Sequence, residues 1–190
     1  MATKDIIITL PNPHLHKRSQ RVGIITDEIR KLIEDMKAAT LDWEATRKHE
    51  VGVALAAIQV DKPLRVIVIR HNFEDKDDKK FDVLINPEIV KLEGEIEDDY
   101  EGCLSVVDVY GKVPRHSKVR VRALDENGNP IRLRAEGFLA RVLQHEIDHI
   151  KGTMFVDHIK GKTEAFFKIT DEGKLVNMPY EQVTKLGIFQ

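Results

Sequence analysis

The chain has 190 residues and a mass of 21.8 kDa, which suits one domain or one domain with a tail. Its 30 Lys and Arg nearly balance its 32 Asp and Glu, and this argues against a nucleic-acid binder, whose surface would be strongly basic. We expect no membrane span, because no run approaches about 18 apolar residues. The N-terminus lacks a basic region followed by an apolar stretch, so we expect no secretory signal and a cytoplasmic location.

The sequence contains a single cysteine, Cys103. One thiol excludes a disulfide within the chain, and it excludes zinc ribbons and paired-thiol redox motifs, which need at least two thiols. Three roles remain for Cys103: a buried apolar residue, a nucleophile, or one ligand of a metal.

The first half of the chain begins with an extended segment closed by prolines at residues 11 and 13. A helix is predicted from Asp27, with Thr26 or Asp27 as its N-cap, because six residues, all but one of them apolar, recur on one face at helical spacing. Those residues are Ile29, Leu32, Ile33, Met36, Thr40 and Trp43. Residues 64–70 are rich in Val and Ile and predict a strand.

The second half is mostly extended until a late helix. Residues 83–92 predict two extended segments around Pro87, and residues 119–124 and 131–135 predict a hairpin with a glycine-containing loop. Residues 138–150 have the helical period. A run of strands before a late helix favours an α+β fold over alternating βαβ units.

The late helix carries residues 145–149, HEIDH, which match the pattern HExxH. Four residues are close to one helical turn, so His145 and His149 leave the same face and can bind one divalent metal. Glu146 lies at the edge of that face, where a carboxylate can take a proton from water and pass it to a leaving amine.

A catalytic metal of this kind needs a third protein ligand. A longer version of HExxH, which continues with G-x-x-H to supply a third histidine, does not match here. Phe155 stands where that histidine would be. Glu164 and Glu172 lie downstream without a clear supporting helix, and we interpret His158 as a surface residue. The remaining candidate is Cys103, upstream of the helix.

Three segments, in order, resemble the motifs of one family, the peptide deformylases. Residues 101–105 (EGCLS) and 144–149 (QHEIDH) are similar to that family's EGCLS and QHExDH motifs, and residues 52–59 (GVALAAIQ) resemble its GxGxAAxQ motif. The resemblance runs from about residue 10 to about residue 160. It implies an α+β fold in which mixed or antiparallel sheets pack around a central helix carrying HExxH.

The resemblance also implies an activity and roles for residues. Such enzymes remove the formyl group from the N-terminal methionine of nascent chains and release formate. By this resemblance Cys103, His145 and His149 hold the metal, and Glu146 is the general base and acid. The Leu104 N–H and the Gln59 side-chain amide would stabilise the oxyanion. Val53 and Val142 would line the methionine pocket, and the backbone at Ala54 and Gly102 would pair with the peptide.

The resemblance also implies which metal and which partners to expect. One thiolate and two imidazoles tolerate Fe(II), Zn, Ni or Co, and the family generally uses Fe(II) natively. The expected partners are N-formylmethionyl nascent peptides, with transient ribosome association. Near the metal, we expect Glu101 to support the turn at Cys103 by pairing with Arg115, and Asp148 to act in the outer shell.

Three features depart from the family pattern. Ala54 replaces the second glycine of the first motif, and Val107 stands where a proline is frequent, so the loop at residues 106–112 is expected to differ. The tail after Ala165 does not predict a long basic helix for docking on ribosomes. We divide the chain into a catalytic domain, residues 1–165, and a tail, residues 166–190, packed on it or extending from it.

Other hypotheses stay open at the level of sequence. A metallopeptidase would share HExxH but use a different third ligand. A protein that binds metal or formyl-peptide with little turnover is left open by Ala54 and Val107. A cysteine hydrolase would require Cys103 to act without metal.

Overall fold

Seven antiparallel strands form one sheet in the computed structural model, which describes residues 2–189. The sheet order is β1-β2-β3-β4-β6-β7, and β5 also pairs with β4. The strands are β1 (Ala54–Ala56), β2 (Val66–Arg70), β3 (Phe81–Cys103), β4 (Val106–Leu124), β5 (Pro130–Glu136), β6 (Phe166–Ile169) and β7 (Leu175–Asn177). The helices are α1 (Asp27–Ala45), α2 (Gly137–Lys151), α3 (Phe155–His158) and α4 (Tyr180–Lys185). The predicted α+β class is confirmed, with one sheet rather than several.

Strand β2 packs against both long helices, with one helix on each face of the sheet. All five of its residues are buried, as expected for a short apolar run covered on both faces. Successive side chains point to opposite faces, so Ile67 and Ile69 pack in the cluster that contains α2, whereas Val66 and Val68 pack in the cluster that contains α1.

Strands β3 and β4 form one long hairpin whose turn is Leu104 and Ser105. Residues 83–92 are extended as predicted, but they form part of one strand rather than two segments, because β3 continues through Pro87 and the acidic residues to Cys103. Pro87 has no N–H to donate, and it is accommodated where the register shifts between Ile85 and Glu88. The expected loop at residues 106–112 is wrong, since this segment belongs to β4.

Helix α2 begins and ends at glycines with left-handed backbone. Gly137 has φ +57°, and Gly152, the C-cap, has φ +80° and donates its N–H to the carbonyls of Asp148 and His149. The predicted helix of residues 138–150 is thus confirmed to within a residue at each end. In α1 the Thr26 side chain accepts from the N–H of Ile29, as the N-cap prediction requires.

The tail is continuous with the sheet. Strand β6 pairs with β4 at Tyr110 and Gly111, and β7 pairs with β6. Phe166 packs in a third buried cluster with Val183 and Ile188 from the end of the chain. The last helix, α4, has six residues, in agreement with the expectation that no long terminal helix forms.

Gly152 fixes where α2 ends, and we expect Gly152→Ala to be more destabilising than Gly137→Ala. A left-handed backbone costs a non-glycine residue about 1–2 kcal/mol at either position. A Cβ at Gly152 would in addition lie 2.3 Å from the carbonyl oxygen of His16, whereas a Cβ at Gly137 has no neighbour within 4 Å. Urea unfolding of the two variants measures the difference, and equal losses would show that the contact with His16 does not constrain the helix end.

Candidate metal centre

Two imidazoles meet on the buried face of α2. His145 and His149 are 8% and 1% exposed, and their Nε2 atoms lie 3.2 Å apart. The spacing of four residues along the helix produces this arrangement.

Cys103 approaches the same point from the end of β3. Its Sγ lies 3.3 Å from the Nε2 of His149, and the three ligand atoms all lie within 4.8 Å of one another. Nitrogen and sulfur ligands held tetrahedrally at about 2.0–2.3 Å from one ion are roughly 3.3–3.6 Å apart. The donor set and its spacing therefore fit a single divalent ion, bound through one thiolate and two imidazoles.

Glu101 fixes the ring of His145. Its Oε2 lies 3.0 Å from the Nδ1 of His145, and because a carboxylate can only accept, this nitrogen carries the proton. The Nε2 of His145 is then free to coordinate. A hydrogen-bonded partner of this kind is usual for a histidine that binds a metal.

Two arginines complete the environment of Glu101. Arg115 donates to both carboxylate oxygens at 2.9 and 3.1 Å, as expected, and Arg141 donates at 2.9 Å. Burial alone would raise the pKa of Glu101, but the hydrogen bonds from His145 and Arg115 bring it well below its ordinary value. The carboxylate is therefore ionised although it is buried.

The two histidines differ in their affinity for a proton. Burial alone would lower the pKa of His145, but hydrogen bonds with Cys103 and Glu101 raise it well above its ordinary value. Burial and the neighbouring His145 lower the pKa of His149 well below its ordinary value. Of the two imidazoles, His145 therefore holds a proton more strongly than His149.

Glu146 lines the same cavity as Cys103 and His145 but is not part of the ligand group. It is 4% exposed, and its Oε2 is buried without a hydrogen-bond partner among the described residues. Burial raises the pKa of Glu146 to about 7, an effect that the charge of His145 opposes. A buried, unpaired carboxylate oxygen facing a cavity is costly unless a ligand or water meets it there.

Gln59 points its amide nitrogen toward the thiol. Its Oε1 accepts from the N–H of Ala56 at 2.8 Å, which fixes the orientation of the amide. The Nε2 then lies 3.4 Å from the Sγ of Cys103 and 3.1 Å from the Oγ of Ser105. Leu104 follows Cys103 at the turn and lines the same cavity.

A cavity of about 350 Å³, here called the cleft, opens from the centre. The four residues predicted to bind substrate line it: Val53, Ala54, Gly102 and Val142. Ala54 begins strand β1 and is not among the described residues with positive φ, so this position does not need the freedom of a glycine.

The other sequence candidates lie away from the three ligands. Glu164 and Glu172 are exposed and do not belong to the ligand group. His158 is exposed, and its Nε2 lies 2.8 Å from Asp148. Asp148 in turn forms an ion pair with Arg115, so it is linked to His145 through Arg115 and Glu101.

Sequence reasoning missed Arg141. This side chain is buried, and besides Glu101 it donates to the carbonyls of Glu97, Asp99 and Val113. Its position four residues before His145, on the apolar side of an amphipathic helix, was the signal that could have found it.

Comparison with known proteins decides the family. The model of the polypeptide deformylase family matches residues 4–165. The chain belongs to this family. It is 41% identical over 181 residues to the peptide deformylase of Psychrobacter arcticus, covering 94% of this chain and 93% of the relative. It is 45% identical over 159 residues to that of Aquifex aeolicus, covering 83% and 88%.

Solved structures agree with this assignment. A peptide deformylase from Synechococcus elongatus in complex with actinonin superposes with a TM-score of 0.74 at 39% identity, covering 82% of this chain and 80% of that one. A peptide deformylase from Legionella pneumophila gives 0.71 at 40% identity, covering 83% and 86%. The family match ends at Ala165, just before β6. Within residues 2–189 no helix has the length and apolar character to cross a membrane.

The buried carboxylate of Glu101 yields a test of the centre. We expect Glu101→Gln to lower zinc affinity by about 10–100-fold, because His145 loses an ionised partner. The variant should also lose roughly 3–5 kcal/mol of stability, because buried arginines lose their counter-charge. Competition with a chromophoric chelator measures the first quantity, and urea unfolding measures the second.

Glu93 on the same strand supplies the control. It pairs with Arg120 at the surface, where its side chain is 26% exposed, and it is far from the ligands in the strand, so Glu93→Gln should leave zinc affinity and stability close to wild type. Unchanged zinc affinity in Glu101→Gln would contradict the orienting role of Glu101.

Proposed function

We propose that this chain removes the N-formyl group from the formylmethionine at the start of newly made polypeptides and releases formate, using the centre described above. The observation that carries the proposal is a ligand triad of Cys103, His145 and His149 beside the unpaired carboxylate oxygen of Glu146, in a chain of the deformylase family. The alternative, binding of metal or formyl-peptide with little turnover, is less well supported, because relatives about 40% identical over most of the chain carry the enzyme's name.

A divalent ion held by Cys103, His145 and His149 would supply Lewis acidity for water and for the formyl oxygen. We assign Glu146 the proton transfers: it accepts a proton from the attacking water and delivers it to the amine nitrogen as the C–N bond breaks. One water is consumed, and formate and the free amino terminus of methionine are produced.

Gln59 and Leu104 are assigned to the developing negative charge on the formyl oxygen. The Gln59 amide is held by Ala56, so its N–H donors are preorganised beside the thiol. The Leu104 backbone N–H, directly after the ligand cysteine, is the second proposed donor. Donors aimed in advance at the oxyanion stabilise the transition state more than the ground state.

The substrate end would lie in the cleft, with Val53 and Val142 around the methionine side chain and the backbone at Ala54 and Gly102 pairing with the peptide. Both valines pack against the apolar cluster under α2, which suits an uncharged side chain. We propose the cytoplasm as the place of action. We propose that any ribosome association is transient, and α4, with six residues, is too short to serve as a long docking helix.

Glu146→Gln tests the assigned proton transfers. The variant should keep its zinc but lose about 10²–10⁴-fold in kcat, the usual worth of general acid–base catalysis. Formate release from formyl-Met-amide measures the rate, and atomic absorption measures the metal. Glu164→Gln, an exposed glutamate outside the cleft, is the control and should match wild type. A fully active Glu146→Gln would overturn the mechanism.

We propose Fe(II) as the native metal, with Zn, Ni or Co able to replace it, since one thiolate and two imidazoles form a donor set of mixed softness. A thiolate beside Fe(II) is prone to oxidation. Protein purified anaerobically with iron should therefore lose activity in air as Cys103 gains oxygen by mass spectrometry, whereas the nickel form should persist. Iron protein that stays active and unmodified in air would contradict this choice of metal.

A further inference from the structure

The cleft extends beyond the metal centre to the tail of the chain. Ile169 at the end of β6, Gly173 in the following turn and Leu175 at the start of β7 line the same cavity as Cys103 and Glu146. We call residues 166–177, which comprise β6, the turn and β7, the terminal hairpin. It follows the segment matched by the family model, residues 4–165.

One face of the terminal hairpin points toward the cleft. Ile169 and Leu175 are cross-strand partners and therefore share a face of the ribbon. Phe167, two residues before Ile169 and so on that face, stacks edge-on against Tyr100, a cleft residue, with ring centroids 4.9 Å apart. The next pair, Lys168 and Val176, points to the opposite face.

The terminal hairpin is held in place at both ends. At its base, β6 pairs with β4 through Tyr110 and Gly111. At its tip, the carbonyl of Asp171 lies 3.0 Å from the Nε2 of His49, a residue that precedes β1 in the chain. Gly173 has φ +80°, and a Cβ there would lie 3.0 Å from the His49 ring, so only glycine allows this close approach.

These contacts place the terminal hairpin next to both segments that are proposed to pair with the peptide. It contacts His49 on the segment that leads to Ala54, and it contacts Tyr100 on the strand that leads to Gly102. The peptide proposed to pair with the backbone at Ala54 and Gly102 would share the cleft with Ile169 and Leu175. Its next residues, spaced about 3.3 Å apart along an extended chain, would then come within reach of this pair.

We propose that the terminal hairpin is a specificity element: the pair Ile169 and Leu175 favours an apolar side chain at one of the two peptide positions that follow formylmethionine. The inference rests on the proposed function. Leu175 is 36% exposed with its apolar surface toward the cleft, so contact with a substrate side chain would remove that surface from water.

The test compares formyl-Met-Leu-Ser, formyl-Met-Ser-Leu and formyl-Met-Ser-Ser, with formyl-Met-amide as a substrate too short to reach the terminal hairpin. Full burial of a leucine side chain would raise kcat/KM roughly tenfold or more. Contact with only one wall of the cleft should therefore raise kcat/KM on the order of 3–10-fold for one of the leucine peptides. In Leu175→Asn this preference should fall to near unity through a higher KM, while formyl-Met-amide is hydrolysed as by wild type.

Val176→Asn is the matched control. Val176 is 38% exposed, lies in the same strand and points to the other face, so this variant should keep the wild-type preference. The inference is overturned if wild type shows no preference, if Leu175→Asn retains it, or if Val176→Asn loses it equally. No formate from any of the four substrates would instead contradict the proposed function, and the two failures are therefore distinguishable.

Discussion

A buried negative charge organises this molecule. Glu101 on β3 accepts hydrogen bonds from Arg115 on β4 and from Arg141 and His145 on α2, so one carboxylate joins the three elements that form the centre. Moving such a charge out of water is costly, and the cost is offset only when all of its partners are present with good geometry. The partners of Glu101 therefore depend on one another, and loss of the carboxylate would weaken both the packing of α2 and the orientation of His145. Because His145 is one of the partners of Glu101, the packing of α2 on the sheet also orients a metal ligand.

The long hairpin of β3 and β4 positions Cys103 and the turn after it beside α2. Cys103 is the last residue of β3, and the two-residue turn after it places Leu104 and Ser105 against Gln59 and the N-terminal segment. Arg141 adds hydrogen bonds to carbonyls of both strands, so the hairpin end cannot shift along the helix without losing them. Rigid support of this kind matters because misplacement of reacting groups by about 1 Å can cost a hundredfold in rate.

Local patterns in the sequence predicted much of this arrangement. The period of the apolar residues predicted α1 and α2, and HExxH with the single cysteine predicted the three side chains that the fold brings together. Other features depend on partners distant in sequence. Pro87 suggested a break, but the register shift in β3 absorbs it, and the strand continues because β4 pairs along its length. The terminal hairpin carries little periodic signal, and its place beside the cleft follows from pairing with β4 and from the contact with His49.

The central claim is that Cys103, His145 and His149 together hold one ion, with Glu101 orienting the first histidine and Glu146 left free. X-ray absorption spectroscopy of the protein loaded with one equivalent of zinc tests it most directly. We expect one sulfur at about 2.3 Å and two imidazole nitrogens at about 2.0–2.1 Å, with the sulfur lost in Cys103→Ser. A zinc shell without sulfur in the unmodified protein would contradict the claim.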